Sequence, residues 1–192
     1  MDFNLSPEVE AVRLAIRKFV HDRVIPLESD PTAYDHHENI AEERLEALRE
    51  EAKSEGLWAL AMPQEIGGGG MKTVGMAACY EEMGRSIFGP VCFNAQPPDD
   101  GNMFLLNRVG TDYQKERWLQ PIVDGKVRSS FVMTEPAPGG GSDPAGAMLT
   151  KAELKGDRWV INGPKWFITG AGVAHHFIVL ARTSADTRKG LT

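Results

Sequence analysis

The sequence Phe131-Val132-Met133-Thr134-Glu135-Pro136-Ala137-Pro138-Gly139-Gly140-Gly141-Ser142-Asp143 joins a short β-prone run to a loop rich in proline and glycine. The run would bring Thr134 to the mouth of a sheet, where Pro136 ends the ladder because it has no N–H to donate. The glycines that follow would let backbone N–H groups approach a ligand closely, so the loop could cradle an anion. Loops of this composition are also common between strands, and a plain connecting loop is the alternative.

This stretch opens the β-prone part of the chain. From Arg128 onward, short β-prone runs alternate with turn residues, and Lys155-Gly156-Asp157 predicts a hairpin turn between the second and third runs. So short a β part would leave strand edges exposed, which predicts that the β domain is incomplete. The predicted strands occupy residues 130–133, 147–154, 158–162, 166–169 and 177–182.

The chain before residue 127 has the apolar spacing of helices. Ser6 and Pro7 predict the start of a first helix, which ends before Pro26. Thr111 and Gln114 have the spacing of a capping box, in which each residue caps the other's backbone N–H. Further helices are predicted at about residues 40–52, 73–83, 102–109 and 111–119.

The order of these elements determines the predicted fold class. Helices first and strands second indicate two segregated parts, because a doubly wound fold would alternate them. We therefore predict an α+β fold, with an N-terminal all-helical domain at residues 1–127 and an incomplete antiparallel, β-barrel-like middle domain at residues 128–192.

Composition and charge exclude several classes of protein. The 192 residues carry a net charge of −6, which offers no basic surface for nucleic acid. No apolar run reaches the roughly 18 residues of a membrane span, and Met1-Asp2-Phe3-Asn4 lacks the order of a signal peptide, so a cytoplasmic protein is expected. Cys79 and Cys92 show no metal-binding spacing and are predicted to be reduced core residues.

Three patterns suggest sites and are rejected. Residues 67–73 resemble a phosphate-binding loop, but Met71 stands where that loop needs a glycine, so a flexible turn is predicted. The adjacent pairs His36-His37 and His175-His176 would diverge in a helix or strand, so no metal site is predicted. Ser142 lies outside a Gly-x-Ser-x-Gly elbow, which disfavours a serine hydrolase.

A second stretch, Asn162-Gly163-Pro164-Lys165-Trp166-Phe167-Ile168-Thr169-Gly170, places two aromatic residues and a hydroxyl between glycines. On a strand, Phe167 and Thr169 would share one face, where a flat ring could pack on the first and accept a hydrogen bond from the second. Core packing with an exposed threonine is the alternative, and this stretch alone favours it.

Together the two stretches resemble the acyl-CoA dehydrogenase family. Thr134-Glu135-Pro136 and Gly141-Ser142-Asp143 resemble that family's flavin loop, and Asn162-Gly163-x-Lys165 followed by Phe167-Ile168-Thr169 resembles its flavin-flanking strand. The resemblance continues through residues 56–68, 81–84 and 110–121, and so covers nearly the whole chain. Residues 94–103 suggest the branch related to the large human members that carry extra domains.

The resemblance implies three domains, helical, β and helical, with FAD at their junction and a homo-oligomer, usually a homotetramer. The implied reaction oxidises an acyl-CoA thioester to a trans-2-enoyl-CoA. A carboxylate removes the α-proton while the β-hydrogen leaves as hydride to FAD, and electron-transfer flavoprotein or another acceptor then reoxidises the enzyme.

The resemblance also implies roles for particular residues. Thr134 and the backbone of residues 131–134 would bond the flavin's pyrimidine edge, Phe167 would lie against the ring and Thr169 would donate near N5. Ser142 would contact the CoA portion of the substrate and the phosphates of the cofactor. The implied cofactor-binding residues are Phe131, Met133, Thr134, Gly141, Ser142, Phe167, Ile168 and Thr169.

The catalytic base is expected in a C-terminal domain outside this chain, so no catalytic residue is assigned and the isolated chain is expected to be inactive. Glu135 occupies the wrong motif position for that base. The loop between Pro136 and Gly141 is about two residues longer than the commonest pattern. Phe167 stands where the family usually has tryptophan, so the stacking ring could instead be Trp166.

Two alternatives remain at this stage. A flavin monooxygenase or nitroalkane-oxidase-like relative can share the helical and β domains. A non-catalytic binding or scaffold protein would keep the family surface without its chemistry.

Overall fold

A computed structural model describes residues 4–37, 39–186 and 189–192. The chain forms two compact units, Met1–Lys126 and Val127–Thr192, and each is described by itself.

The first helix begins as the sequence predicts. The Ser6 hydroxyl accepts a hydrogen bond from the N–H of Val9, and Pro7 opens helix α1 (Pro7–Phe19). The α-helical geometry ends at Phe19. A π turn (Val20–Val24) and a 3₁₀ turn (Ile25–Ser29) then carry the chain past Pro26, before which the helix was predicted to end.

The remaining helices of the first unit include the predicted ones, with a π turn in the predicted helix at 111–119, and two short helices, Gly89–Cys92 and Gln120–Val123, lie outside the predicted ranges. The predicted capping box forms, with the Thr111 hydroxyl and the Gln114 side chain each accepting the other residue's backbone N–H. The helices are α2 (Glu42–Ser54), α3 (Thr73–Met83), α4 (Gly89–Cys92), α5 (Asp99–Val109), α6 (Asp112–Gln114) and α7 (Gln120–Val123), with a π-type turn Lys115–Leu119 before the last and 3₁₀ turns Pro31–Ala33 and Gln64–Ile66.

The core of this unit includes the buried carboxylate of Glu82 as well as apolar side chains. Phe19 meets Phe93 edge-on, with 5.1 Å between ring centroids. Glu82 of α3 is 1% exposed and bonds three guanidinium groups, those of Arg13 and Arg17 in α1 and of Arg85. Hydrogen bonds from Arg17 in particular outweigh burial and lower the pKa of Glu82 to about 2.

The glycine run between α2 and α3 forms a turn, as predicted. A side chain on Gly68 would place its Cβ 2.2 Å from the carbonyl oxygen of Met62, so the run packs against preceding backbone. The predicted divergence of His36 and His37 is wrong: they lie in a turn and not in a helix or strand, and their ring centroids are 3.8 Å apart.

In the part of the second unit that the structure describes, there are two strand pairs, and they do not close into a barrel. Its elements are β1 (Ser129–Val132), α8 (Pro144–Ala147), β2 (Lys151–Lys155), β3 (Arg158–Asn162) and β4 (His176–Val179). The pair β2–β3 is the predicted hairpin, with Gly156 at φ +66° in its turn. Helices followed by a small open sheet confirm the α+β class.

Three strand predictions need correction. The pair β1–β4 is parallel and not antiparallel, because the chain between them passes through the hairpin and returns in the same direction. The strand predicted at 147–154 starts only at Lys151, since α8 precedes it. No strand forms at 166–169, where Phe167 has a φ of +51° that is incompatible with extended backbone.

One face of the hairpin is apolar and exposed. Leu154 pairs with Trp159 and Ala152 with Ile161, so these side chains share a face of the pleat. Leu154, Trp159 and Ile161 are all at least half exposed, and we name them the apolar hairpin face.

In the described residues, no helix is long and apolar enough to cross a membrane.

Candidate cofactor site

The loop after β1 is built on close contacts within itself. The N–H of Glu135 donates to the carbonyl of Gly141 at 3.1 Å, which closes the loop. A Cβ on Gly139 would lie 2.7 Å from Glu135 Oε2, and one on Gly140 would lie 2.1 Å from the carbonyl oxygen of Asp143. Only Gly141, at φ +60°, has open space around its missing side chain, so it is the glycine of this run that leaves room for a ligand.

A buried carboxylate fixes the base of this loop. Glu135 is 1% exposed, and its carboxylate accepts the N–H of Leu149 at 2.6 Å and that of Thr150 at 2.9 Å. Burial alone would raise the pKa of Glu135, but hydrogen bonds from Thr150, Leu149 and Lys165 outweigh it and lower the pKa to about 2. A carboxylate held ionised in this way is a poor proton acceptor.

The second predicted stretch lies beside this loop. The Lys165 ammonium donates to the carbonyl of Met133 at 2.7 Å, and the N–H of Trp166 donates to the carbonyl of Thr134 at 3.2 Å. Further along, the Ser130 hydroxyl donates to the carbonyl of Thr169 at 2.8 Å. The structure therefore brings the two sequence motifs together along their backbones.

A glycine allows the second stretch to turn toward the loop. Gly163 has φ +151°, a conformation that other residues rarely adopt, and a Cβ there would lie 2.4 Å from the Cα of Thr150. Thr150 in turn donates its hydroxyl to the carbonyl of Pro164 at 3.3 Å. The end of the hairpin is thus packed against the residue that also bonds Glu135.

The aromatic residues of the second stretch are exposed. Phe167 is 81% exposed and Trp166 is 44% exposed, with 4.5 Å between their ring centroids. Because no strand forms here, the predicted sharing of a strand face by Phe167 and Thr169 is wrong. Phe167 instead has a positive φ, and its exposed ring is accessible to a flat ligand.

The other predicted site residues lie near this surface or along the loop. Phe131 pairs with Ile178 of β4 and is 36% exposed. Ser142 and Thr169 are exposed. Met133, Thr134, Gly141 and Ile168 are half-buried.

The residues present fit the pyrimidine edge and the flat ring of a flavin. Within the described ranges, neither the main-chain N–H groups of Met133 and Thr134 nor the hydroxyls of Thr134 and Thr169 take part in a hydrogen bond. The site thus offers free donors beside an exposed phenyl ring, and a flavin has acceptor atoms at the edge of a flat ring.

Sequence reasoning did not identify Lys165 and Thr150 as partners of Glu135. A signal was present, because Lys165 is the only charged residue of its motif at 162–170 and Glu135 lies in a loop that has only one other charged residue, Asp143. It gave no pairing, since thirty residues of chain separate the two positions. Among the residues that the structure describes, no group of three or more histidine, cysteine, aspartate or glutamate side chains could hold a metal ion.

Comparison with known proteins gives the same assignment for both units. The family profile of the acyl-CoA dehydrogenase N-terminal domain matches residues 6–126, and that of the middle domain matches residues 130–192. Acyl-CoA dehydrogenase family member 11 of Gallus gallus is 39% identical over 176 residues, which are 88% of this chain and 22% of that protein.

Solved structures agree in fold. Glutaryl-CoA dehydrogenase from Mycobacterium smegmatis is 30% identical with a TM-score of 0.73, covering 94% of this chain and 44% of that one. A glutaryl-CoA dehydrogenase from the same organism, solved in complex with FADH2, is 26% identical with the same TM-score of 0.73 and the same two coverages, 94% and 44%. The chain therefore spans less than half of the length of these relatives. It belongs to the acyl-CoA dehydrogenase family, of which it contains segments of the N-terminal and middle domains.

Proposed function

We propose that this chain supplies the flavin-contacting part of an FAD-dependent acyl-CoA dehydrogenase, which oxidises acyl-CoA thioesters to trans-2-enoyl-CoA. The observation that carries the proposal is the alignment of Met133 and Thr134 with the stretch from Lys165 to Thr169. Family membership and the FADH2 complex of a related dehydrogenase support the choice of cofactor.

Each group in the site has a role that follows from its chemistry. The free N–H groups and hydroxyl at Met133 and Thr134 would hold the pyrimidine edge, and Phe167 would cover one face of the ring. Bound FAD supplies the acceptor for the hydride that leaves the β-carbon of the substrate. Thr169 would donate near N5, and such donors stabilise negative charge where it develops.

The open side of the loop suits the charged parts of the ligands. Gly141 leaves its backbone accessible, and the neighbouring Ser142 side chain is exposed. We assign both to the phosphates of the cofactor and Ser142 also to the CoA portion of the substrate. Homo-oligomeric assembly and an electron-transfer flavoprotein as acceptor belong to the same proposal through the family resemblance.

The proposal assigns no catalytic base within this chain. Glu82 and Glu135 are buried in ion pairs with lowered pKa values, so neither suits the removal of an α-proton. We therefore expect the purified 192-residue chain to show no dye-coupled acyl-CoA oxidation, because loss of such a group typically costs several powers of ten in rate. Turnover near that of ordinary family members by a preparation of verified mass would contradict this.

Titration of the chain with FAD tests the cofactor assignment directly. Phe167→Ala should weaken FAD binding, as followed by quenching of flavin fluorescence, because it removes the proposed packing surface. Trp159→Ala is the matched control, since Trp159 is an exposed aromatic residue on the apolar hairpin face. If Trp166→Ala weakens binding and Phe167→Ala does not, the assigned ring is wrong by one residue.

A further inference from the structure

The pair formed by Glu135 and Lys165 lies behind the candidate cofactor surface. Their side chains are 1% and 10% exposed, and 3.1 Å separates Lys165 Nζ from Glu135 Oε1. The same ammonium donates to the carbonyl of Met133. Lys165 therefore holds Met133, which precedes Thr134, by its backbone carbonyl, and Glu135, which follows Thr134, by its side-chain carboxylate.

This arrangement fixes Thr134 from three sides. Lys165 holds both sequence neighbours, and the N–H of the next residue, Trp166, bonds the carbonyl of Thr134. What remains free on Thr134 is its own N–H and its hydroxyl. The pair thus determines that the N–H and the hydroxyl of Thr134 are the groups left available to a ligand.

The chemistry of the pair explains why it holds one geometry. Both charges are removed from water, and the carboxylate is further satisfied by the N–H groups of Leu149 and Thr150. A buried pair with its remaining hydrogen bonds made is stable, but loss of one partner leaves an uncompensated charge. The segment must then rearrange or admit water to solvate the remaining charge.

We propose that Glu135 and Lys165 are positioning residues that align Met133 and Thr134 with the stretch from Lys165 to Thr169, and thereby set the affinity of the site for a flavin that neither side chain touches. This inference rests on the proposed function for the identity of the ligand. The alignment itself can be measured without any cofactor.

The first measurement follows amide hydrogen exchange by NMR in the cofactor-free, full chain. Lys165→Met should accelerate exchange at the N–H of Trp166 by about tenfold or more, because that hydrogen bond depends on the alignment. Amides of the β2–β3 hairpin should keep their protection. The matched control is Lys155→Met, which removes a lysine from an exposed pair with Glu153 in the same unit.

The second measurement titrates the same proteins with FAD. Lys165→Met should weaken FAD binding by about tenfold or more and alter the visible absorption bands of any flavin that binds, because a displaced backbone donor no longer meets the ring edge. Lys155→Met should leave both unchanged. Lys165→Gln keeps a donor for Met133 without the charge and replaces Lys165→Met if the latter loses hairpin protection.

The outcomes separate this inference from the proposed function. Unchanged exchange at Trp166 overturns the inference, and so does faster exchange with unchanged FAD affinity and spectrum. Faster exchange together with weaker FAD binding supports it. If the wild-type chain takes up no FAD, the proposed function fails for this chain, while exchange at Trp166 alone supports or overturns the positioning role.

Discussion

Adding one methyl group at Gly163, just after the hairpin, should disrupt the candidate site more than adding one at Gly156 in the hairpin turn. In Gly163→Ala the new Cβ would lie 2.4 Å from both the Cα and the hydroxyl oxygen of Thr150. Thr150 cannot withdraw freely, because its N–H bonds Glu135 and its hydroxyl bonds the carbonyl of Pro164. The methyl group therefore pushes on the backbone that supports the flavin loop.

Two costs combine at this position. Backbone held at φ +151° is strained for any residue with a Cβ, at about 1–3 kcal/mol. Overpacking against neighbouring backbone adds about 1–3 kcal/mol. We expect Gly163→Ala to lower the free energy of unfolding of the second unit by about 2–6 kcal/mol, which is a large share of the stability of a small domain.

Gly156→Ala provides the matched control for this substitution. Gly156 also has a positive φ, +66°, but a Cβ there would meet nothing within 4 Å. Its cost should be the backbone strain alone, about 1–2 kcal/mol. Urea unfolding, followed by NMR signals of hairpin amides, measures both variants. Equal losses of stability would refute the contact between Gly163 and Thr150.

The remaining predictions concern association, the site and acid. The apolar hairpin face should drive self-association, so a stable monomer by light scattering at high concentration would contradict its exposure. In a protein of family length that carries this segment, Thr169→Val should raise the barrier to flavin reduction by about 2–4 kcal/mol in stopped-flow measurements. Phe167→Ala should chiefly reduce FAD retention there, and Ser142→Ala should raise KM more than it lowers kcat. Acid should destabilise the first unit through Glu82 and the second through Glu135.

Much of the fold follows from local patterns. The Ser6 cap, the capping box at Thr111 and the turn at Gly156 were predictable, because each depends on residues close in sequence. The parallel β1–β4 pair was not, since it joins residues more than forty positions apart and nothing in a strand's own sequence names its partner. The strand predicted around Phe167 failed because β-propensity ignored the tertiary contacts that bend this segment.

The candidate site was predictable as a set of residues but not as an arrangement. Thr134, Phe167 and Thr169 were found from motifs, and the structure brings their two segments together by backbone hydrogen bonds. Sequence assigned the glycines after Pro138 to the ligand, whereas the contacts of Gly139 and Gly140 lie within the loop. Distinguishing these uses requires the distances, because all glycines look alike in a sequence.

The buried carboxylates of Glu82 and Glu135 make the stability of the chain sensitive to acid. Hydrogen bonds and opposite charges lower the pKa of Glu82 and of Glu135 from 4.5 to about 2 in the folded state. A depressed pKa stabilises the fold above the unfolded value, and this contribution is lost as the pH falls from about 4.5 to about 2. Each group contributes at most about 3 kcal/mol to the free energy of unfolding.

Glu82→Gln should flatten the acid dependence of the urea midpoint of the first unit, and Glu135→Gln should flatten that of the second. Glu153→Gln, at an exposed carboxylate of the second unit, is the control and should leave both slopes unchanged, because its ion pair with Lys155 lies in solvent and contributes little to stability. A slope unchanged by Glu82→Gln would show that its three arginine partners do not depress its pKa.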